Sequence, residues 1–239
     1  MSVADESSFG PLLILACATF PPSPSAEALA GNARTLYFSA NELGKDINLL
    51  LMFEPPQNGK LFKDLFPVCW KVLSFVATGL SAATVEYTAD TGFLVPQRQS
   101  GNLVSASNAQ RCQTGQTCTL FSKEDESGNY LSPAEEGDEG VLQCVNKADH
   151  SAKLGVGFFN KAVTKIEPTF LWKDIDTVAV VLTPKLKIYA VNDYKATELI
   201  RDNIQSPLLF EQNLIDLPSF TEWIVSFDFS INQVIITEA

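Results

Sequence analysis

Histidine is almost absent from this 239-residue chain, in which His150 is the single example. It lies in a polar run, NKADHSAK, where we expect a solvent-exposed imidazole rather than a general base. No P-loop and no zinc-protease motif occurs in the sequence. Gly155 and Gly157 lack the third glycine of a dinucleotide fingerprint, and Ser81 lacks the strand-turn-helix setting of a nucleophile elbow. The sequence therefore predicts a protein that is not an enzyme.

Basic residues are also scarce, with 17 Lys and Arg against 28 Asp and Glu and a formal net charge of -11. Such a surface repels nucleic acids and anionic membranes. No run approaches the ~20 apolar residues that a membrane span needs. The apolar run at residues 12–18 follows acidic residues and no Lys or Arg, which argues against a secretory signal and favours a first strand. We expect a cytoplasmic protein that binds neither nucleic acid nor membrane.

The chain has five cysteines, an odd number. Cys112 and Cys118 bracket a turn and would be able to pair in an oxidising compartment. The odd count and the missing signal peptide favour free thiols instead. The spacing does not suit zinc, which is usually held by close pairs of ligands, so we predict no metal site on the cysteines.

β-branched and aromatic residues dominate the stretch from 168 to 194. It divides into three extended segments at residues 170–173, 177–183 and 185–191, separated by Lys173-Asp174 and Thr183-Pro184. Side chains of these types fit a pleated, half-buried surface better than a helix. The stretch is predicted to lie at the centre of a sheet.

Similar short apolar segments recur along the chain, of which 46% is hydrophobic. We predict an all-β fold, a two-sheet antiparallel β-sandwich that forms one domain over residues 1–239. The polar and acidic residues from about 96 to 140 are predicted to form a long loop insertion. Residues 196–203 carry the one convincing helical pattern, with Leu199 and Ile200 on its apolar side.

The acidic part of this insertion has oxygen-bearing residues at the spacing of a calcium-binding loop. Asp125, Ser127, Asn129 and Glu136 fall at positions 1, 3, 5 and 12 of an EF-hand-like loop. Tyr130 stands where that loop requires glycine, and no helical patterns flank it. The residues favour a solvated loop over a calcium site.

The supply of aromatic rings is large, with 16 Phe, 5 Tyr and 3 Trp. Such rings either fill a core or line a flat apolar cleft for a conjugated ligand. For the second case Phe53, Trp70, Trp172 and Tyr189 are the candidate walls. Lys71 is the candidate counter-ion for a partly anionic ligand, although a lysine in an apolar strand also commonly extends to water.

Five segments carry a resemblance to a known group of proteins. They are LLLMFEPP (49–56), VCWKV (68–72), LGVGFF (154–159), PTFLWK (168–173) and LTPKLKIYAVNDY (182–194). Across residues 35–193 the chain resembles a group of small fungal β-sandwich proteins, and within it the pink, pigment-binding chromoproteins of oyster-type mushrooms. The resemblance implies a β-sandwich and a non-enzymatic carrier of a conjugated pigment. It assigns no individual ligand residue.

Alternative functions are a structural or storage protein of the fruiting body, in which the rings are only core, and a lectin or defence protein, in which exposed rings stack on sugars. A homodimer is also expected. Residues 47–53 are apolar throughout, and a strand of this kind needs cover on both faces. A single sandwich covers one face, and two-fold pairing commonly supplies the other.

Overall fold

The structure is a computed structural model that describes residues 32–57, 59–98, 102–125 and 127–239. The run at residues 12–18 and Cys17 lie outside the described residues. In chain order the strands are β1 (Arg34–Asn41), β2 (Ile47–Phe53), β3 (Leu65–Pro67), β4 (Lys71–Phe75), β5 (Leu80–Tyr87), β6 (Thr91–Arg98), β7 (Val104–Arg111), β8 (Gln116–Ser122), β9 (Asn129–Leu131), β10 (Glu135–Glu136), β11 (Leu142–Asn146), β12 (Ala152–Phe159), β13 (Ile166–Ile175), β14 (Thr177–Val180), β15 (Lys185–Ala190), β16 (Leu208–Asn213), β17 (Phe220–Asp228) and β18 (Gln233–Glu238). A 3-10 helix covers Leu214–Asp216. No helix among the described residues has the length and apolar character to cross a membrane.

These strands confirm the all-β prediction, but they form four sheets where two were expected. We call them the β1 sheet (order β18-β17-β1-β5), the β8 sheet (β10-β8-β11-β14, with β9 also paired to β8), the β12 sheet (β3-β13-β12-β6-β7) and the β2 sheet (β16-β15-β2-β4). Most pairings are antiparallel, while β1 pairs with β17 and β8 with β11 in parallel.

One hydrophobic cluster connects all four sheets. It includes Phe38 of β1, Leu120 of β8, Val156 of β12 and Leu51 of β2, each with no exposed surface. Sheets that pack their apolar faces on a shared core in this way are consistent with a β-sandwich. The single domain over the whole chain stays a prediction.

The stretch from 168 to 194 is extended, as predicted, but it does not lie in one sheet. Its three segments become the later part of β13, then β14, then β15, and these strands belong to the β12, β8 and β2 sheets in turn. The predicted break at Lys173-Asp174 lies inside β13, where Asp174 has a φ of 56°, and the chain leaves β13 at Asp176. It passes from β14 to β15 through residues 181–184, which end in Pro184. The stretch therefore links three sheets.

The loop predicted from 96 to 140 is wrong for much of its length. β7 pairs with β6 along its length, and β8 pairs with three strands. β9 and β10 lie within the acidic part and both pair with β8. The Gln, Ser, Asn and Gly residues of this region favour turns, but cross-strand pairing outweighs that local preference.

The helix predicted at residues 196–203 is also wrong. Glu198 and Leu199 form isolated β-bridges to two other segments, Leu199 to Val68 and Glu198 to Leu103, while Thr197 lies in a turn with a φ of 67°. The Cys69 amide donates to the Glu198 carbonyl at 2.8 Å on one side. The Val104 amide donates to the Thr197 carbonyl at 2.9 Å on the other. Partners on both sides satisfy the backbone groups that a helix would have paired internally.

Residues 197–200 join the two ends of the β12 sheet. Val68 follows edge strand β3, and Leu103 precedes edge strand β7. The sheet thus closes on itself at this end around a second apolar cluster, which we call the closed-sheet cluster. Its buried members are Val68, Leu94, Val104, Phe159, Ile166, Leu171 and Leu199.

Strand β2 is covered on both faces, as predicted. Leu49, Leu51 and Phe53 point into the main core. Leu50 and Met52 point to the other face, where they pack with Cys69 and Ile200. The chain itself supplies this second cover through residues near Ile200, so this face does not need a partner subunit, and the homodimer stays a prediction.

Gly157 of β12 allows the adjacent strand β13 to approach closely. A Cβ atom at Gly157 would lie 2.0 Å from the Glu167 carbonyl oxygen, a distance that backbone atoms cannot accommodate without moving. We expect Gly157→Ala to lower the free energy of unfolding by about 3 kcal/mol, measured by urea denaturation followed by tryptophan fluorescence. Gly115→Ala is the control, since open space surrounds Gly115 and only its φ of +84° opposes a side chain, at a cost of about 1 kcal/mol. Equal losses in the two variants would contradict the packing account.

Candidate functional site

Phe53 and Trp70, two of the predicted cleft walls, lie in the main core. Their ring centroids are 4.9 Å apart, and only 1% and 2% of their surfaces are exposed. Phe158 lies 5.0 Å from Phe53, and Tyr87 lies 4.8 Å from Phe158. The tilted and edge-on arrangement of these four rings is typical of aromatic core packing.

Lys71 meets a carboxylate of the protein itself. Its Nζ atom lies 2.5 Å from Glu167 Oε1, while Trp70 Nε1 donates to Glu167 Oε2 at 2.8 Å. The Lys71 and Glu167 side chains are 29% and 19% exposed. One carboxylate therefore satisfies both the buried indole N–H and the ammonium group, and the role that we expected a ligand anion to fill is taken by Glu167.

Trp172 and Tyr189 lie apart from each other in the structure. Trp172 is 6% exposed and belongs to the main core, with its ring 6.4 Å from that of Phe170. Tyr189 is half-buried on the outer face of the β2 sheet, against Leu50 and Met52. The structure thus brings Phe53, Trp70 and Lys71 together and places Tyr189 on the opposite face of the β2 sheet.

That outer face carries a cavity of about 620 Å³, which we call the 190–206 cleft. It is lined by residues 190–194, 198–199 and 201–206, together with Asn102. Val191, Tyr194 and Ile204 line the cleft and also pack on the apolar cluster of Leu50, Met52, Cys69 and Ile200. The floor is therefore apolar and aromatic, and the volume is in the range of small-molecule sites, about 300–1,000 Å³.

Hydrogen bonds from several directions hold the chain that forms the cleft. The Val191 amide donates to the Asn48 carbonyl at 3.1 Å, and Ser206 Oγ donates to the Ala190 carbonyl at 2.9 Å. The Arg201 guanidinium donates to Asn102 Oδ1 at 2.5 Å. Together with the two-sided pairing of residues 197–200, these bonds fix both walls.

The rim of the cleft is negatively charged. Among the described lining residues, Asp193, Glu198 and Asp202 contribute carboxylates, and Arg201 is the one with a guanidinium. Burial raises the pKa of the Tyr194 phenol, and the nearby Glu198 and Asp202 carboxylates raise it further. Tyr194 therefore stays neutral at physiological pH and presents a ring and a hydroxyl to the cleft.

Cys69 lies beneath the floor and is fully buried. Its thiol donates to the Lys71 carbonyl at 3.4 Å. Burial raises the pKa of this thiol to about 12, and the Glu198 carboxylate adds to the effect. Cys112, Cys118 and Cys144 are also free and buried, so the prediction of free thiols is confirmed for the four described cysteines.

The residues considered for calcium are arranged as parts of strands and turns. Asn129 and Glu136 belong to β9 and β10, which pair with β8. The Asp125 carboxylate accepts the Ser127 amide at 3.0 Å. Across residues 32–57, 59–98, 102–125 and 127–239, no group of three or more His, Cys, Asp or Glu residues is arranged to hold a metal ion.

The fold and cleft define a class, an all-β protein with a small-molecule-sized cavity on the outer face of one sheet. Comparison with known proteins takes the identification no further: no family model, no curated protein and no solved structure matches the chain. The resemblance to fungal pigment-binding proteins therefore stays a hypothesis.

Sequence patterns alone did not predict several of the residues that line the cleft. Asp193, Arg201 and Asp202 lie in or beside the segment interpreted as a helix, so their side chains were assigned no common site. The NDY run at 192–194, a polar cluster directly after a strand, was the available signal, because loop residues beside a rigid sheet often carry function.

The buried thiols generate a prediction about alkaline stability. Burial raises the pKa of Cys69 and of Cys144 to about 12 in the fold, whereas a thiol in the unfolded chain ionises at about 8.5. The fold favours the protonated thiol, so its stabilising contribution is complete below about pH 8.5 and is lost as pH rises toward 12. Urea denaturation under reducing conditions should give a free energy of unfolding that falls steadily between pH 8.5 and 10.5. Cys69→Ala should show a shallower fall, and an equal slope in both proteins would contradict the assignment.

Proposed function

We propose that the protein is a non-enzymatic carrier of a flat conjugated aromatic small molecule, a pigment or related chromophore, held in the 190–206 cleft. The observation that carries this proposal is the half-buried Tyr194 ring on the wall of a cavity of about 620 Å³ with an apolar floor. A planar ligand gains most from such a site, because it stacks on the ring and excludes water from the floor.

The charge of the rim refines the chemistry of the ligand. Three carboxylates face one guanidinium, and that guanidinium is already held by Asn102. An anionic ligand would be repelled, whereas a neutral or cationic conjugated system is favoured. The proposed ligand is therefore flat and neutral or cationic, in place of the partly anionic one that Lys71 suggested from the sequence.

The groups around the cleft support binding rather than catalysis. Ser206 is a hydroxyl residue on the wall, and its proton is donated to the Ala190 carbonyl rather than to a neighbouring base. The amides of Asn192, Asn203 and Gln205 offer donors and acceptors that orient a ligand without moving protons.

We further propose a cytoplasmic location and a homodimer. The four free thiols of the described residues suit a reducing compartment. For the dimer, the support is an apolar patch on the outer face of the β1 sheet, where Phe220, Ile224 and Ile235 are 55%, 44% and 37% exposed. Large exposed apolar side chains on one face of a sheet are characteristic of interfaces.

The carrier proposal predicts a coloured natural protein. Material purified from its natural source should absorb visible light and release one aromatic molecule in native mass spectrometry, while protein made in a foreign host should be colourless. The extracted molecule should restore the absorption band when added to the colourless protein. Tyr194→Leu should weaken its binding about tenfold, because stacking is lost.

Tyr130→Leu is the matched control, since Tyr130 is an exposed tyrosine that stacks on Phe121 away from the cleft. Its affinity for the extracted molecule should equal that of the wild type. A colourless natural protein without a bound molecule would overturn the carrier proposal and favour the structural or storage alternative.

A further inference from the structure

The open side of the closed β12 sheet holds a second cavity of about 600 Å³, which we call the mouth. It lies between residues 104–109 of β7 and a second wall of residues 163–166 and Pro168, which belong to the β12–β13 turn and the start of β13. These two strands lie against each other there without pairing in the sheet. Thr197, the first residue of the closing segment, also lines the mouth.

The floor of the mouth is apolar. Val104, Phe159 and Ile166 line it, and all three are buried members of the closed-sheet cluster. A Cβ atom at Gly92 would lie 2.6 Å from the Phe159 ring. The ring therefore occupies space that only glycine leaves free, which fixes an aromatic surface at the base of the cavity.

The serine hydroxyl groups at the rim have their protons committed. Ser105 Oγ donates to the Gln97 carbonyl at 3.3 Å, and Ser107 Oγ donates to the Val95 carbonyl at 3.1 Å. Thr164 Oγ1 is engaged by the Asn160 amide, whose Nδ2 donates to it at 3.2 Å. The two serine oxygens are left as hydrogen-bond acceptors and carry no charge.

Among the described residues that line the mouth, Lys165 is the one with a charged side chain. Its ammonium group takes part in none of the ion pairs among the described residues. Lys71, Lys185 and Lys187 are each paired with glutamate, whereas Lys165, like other exposed lysines such as Lys123, forms no ion pair among the described residues. The mouth thus combines an apolar, ring-bearing floor with one uncompensated cation.

We propose that the mouth is a second binding site, for a small amphipathic monoanion with an apolar body and one carboxylate. The apolar body lies on Phe159 and Ile166, and the carboxylate accepts hydrogen bonds from Lys165. The 190–206 cleft has the opposite charge, so the two sites select different ligands. This inference does not depend on the carrier function proposed above.

Two probes test the site by isothermal titration calorimetry, 2-naphthoate with an aromatic body and decanoate with an aliphatic one. Saturable one-to-one binding of either probe is expected. The probe with the lower Kd shows whether the site prefers an aromatic or an aliphatic ligand body. Lys165→Gln should weaken binding of that probe about fivefold, the effect of losing one solvent-accessible ion pair. Ser107→Trp, at an exposed position, should weaken it about twentyfold because the indole fills the cavity.

Lys123→Gln is the control, because it changes the net charge equally at an exposed lysine away from the mouth and should leave the affinity unchanged. The neutral 2-naphthamide should bind the wild type and Lys165→Gln equally. The absence of saturable binding of both probes at millimolar concentration, or affinities unaffected by both Lys165→Gln and Ser107→Trp, would overturn the proposal. Tyr194→Leu should not alter probe binding, which separates this test from that of the carrier function.

Discussion

Two-sided backbone hydrogen bonding of residues 197–200 is the constraint on which both cavities depend. These residues pair with chain near Val68 on one side and near Leu103 on the other, and so close the β12 sheet. The residues that follow are thereby laid over the outer face of the β2 sheet, where they form the 190–206 cleft. A segment with partners on one side only would leave buried amides unsatisfied. The backbone hydrogen bonds that close the β12 sheet therefore also position the residues of the 190–206 cleft.

Much of the strand content follows from local sequence. β2, β13 and β15 are rich in β-branched, aromatic and leucine side chains. The bounds of β2 and β15 match the predicted segments closely, whereas β13 extends beyond the predicted residues 170–173 at both ends. β7 was missed because its sequence, VSASNAQR, has little intrinsic strand preference and is extended through pairing with β6. Residues 196–203 show the converse, since their local pattern is helical and distant partners override it.

The candidate site was harder to predict for a related reason. β2 is apolar on both faces, so its composition does not distinguish Phe53, which points into the core, from Met52, which points toward the cleft. Composition likewise does not reveal that Trp70 packs in the main core while its neighbour Cys69 packs beneath the cleft. Phe53 and Tyr189 do lie on strands of the β2 sheet beneath the cleft. Side-chain direction, however, depends on register, and register depends on segments far away in the chain. The partner of Lys71 is likewise Glu167, almost one hundred positions later.

The parallel pairing of β1 with β17 has a consequence for biosynthesis. Thr35 of β1 is opposite Phe220 of β17, so the β1 sheet is complete only after β17, one of the last strands, has been synthesised. During translation β1 has only β5 as an early partner, and its other edge stays open while most of the chain emerges from the ribosome. Contacts of such long sequence separation also make folding slow. A nascent chain of this topology exposes an unpaired strand edge for most of its synthesis, which makes it a natural client for chaperones that shield β-edges.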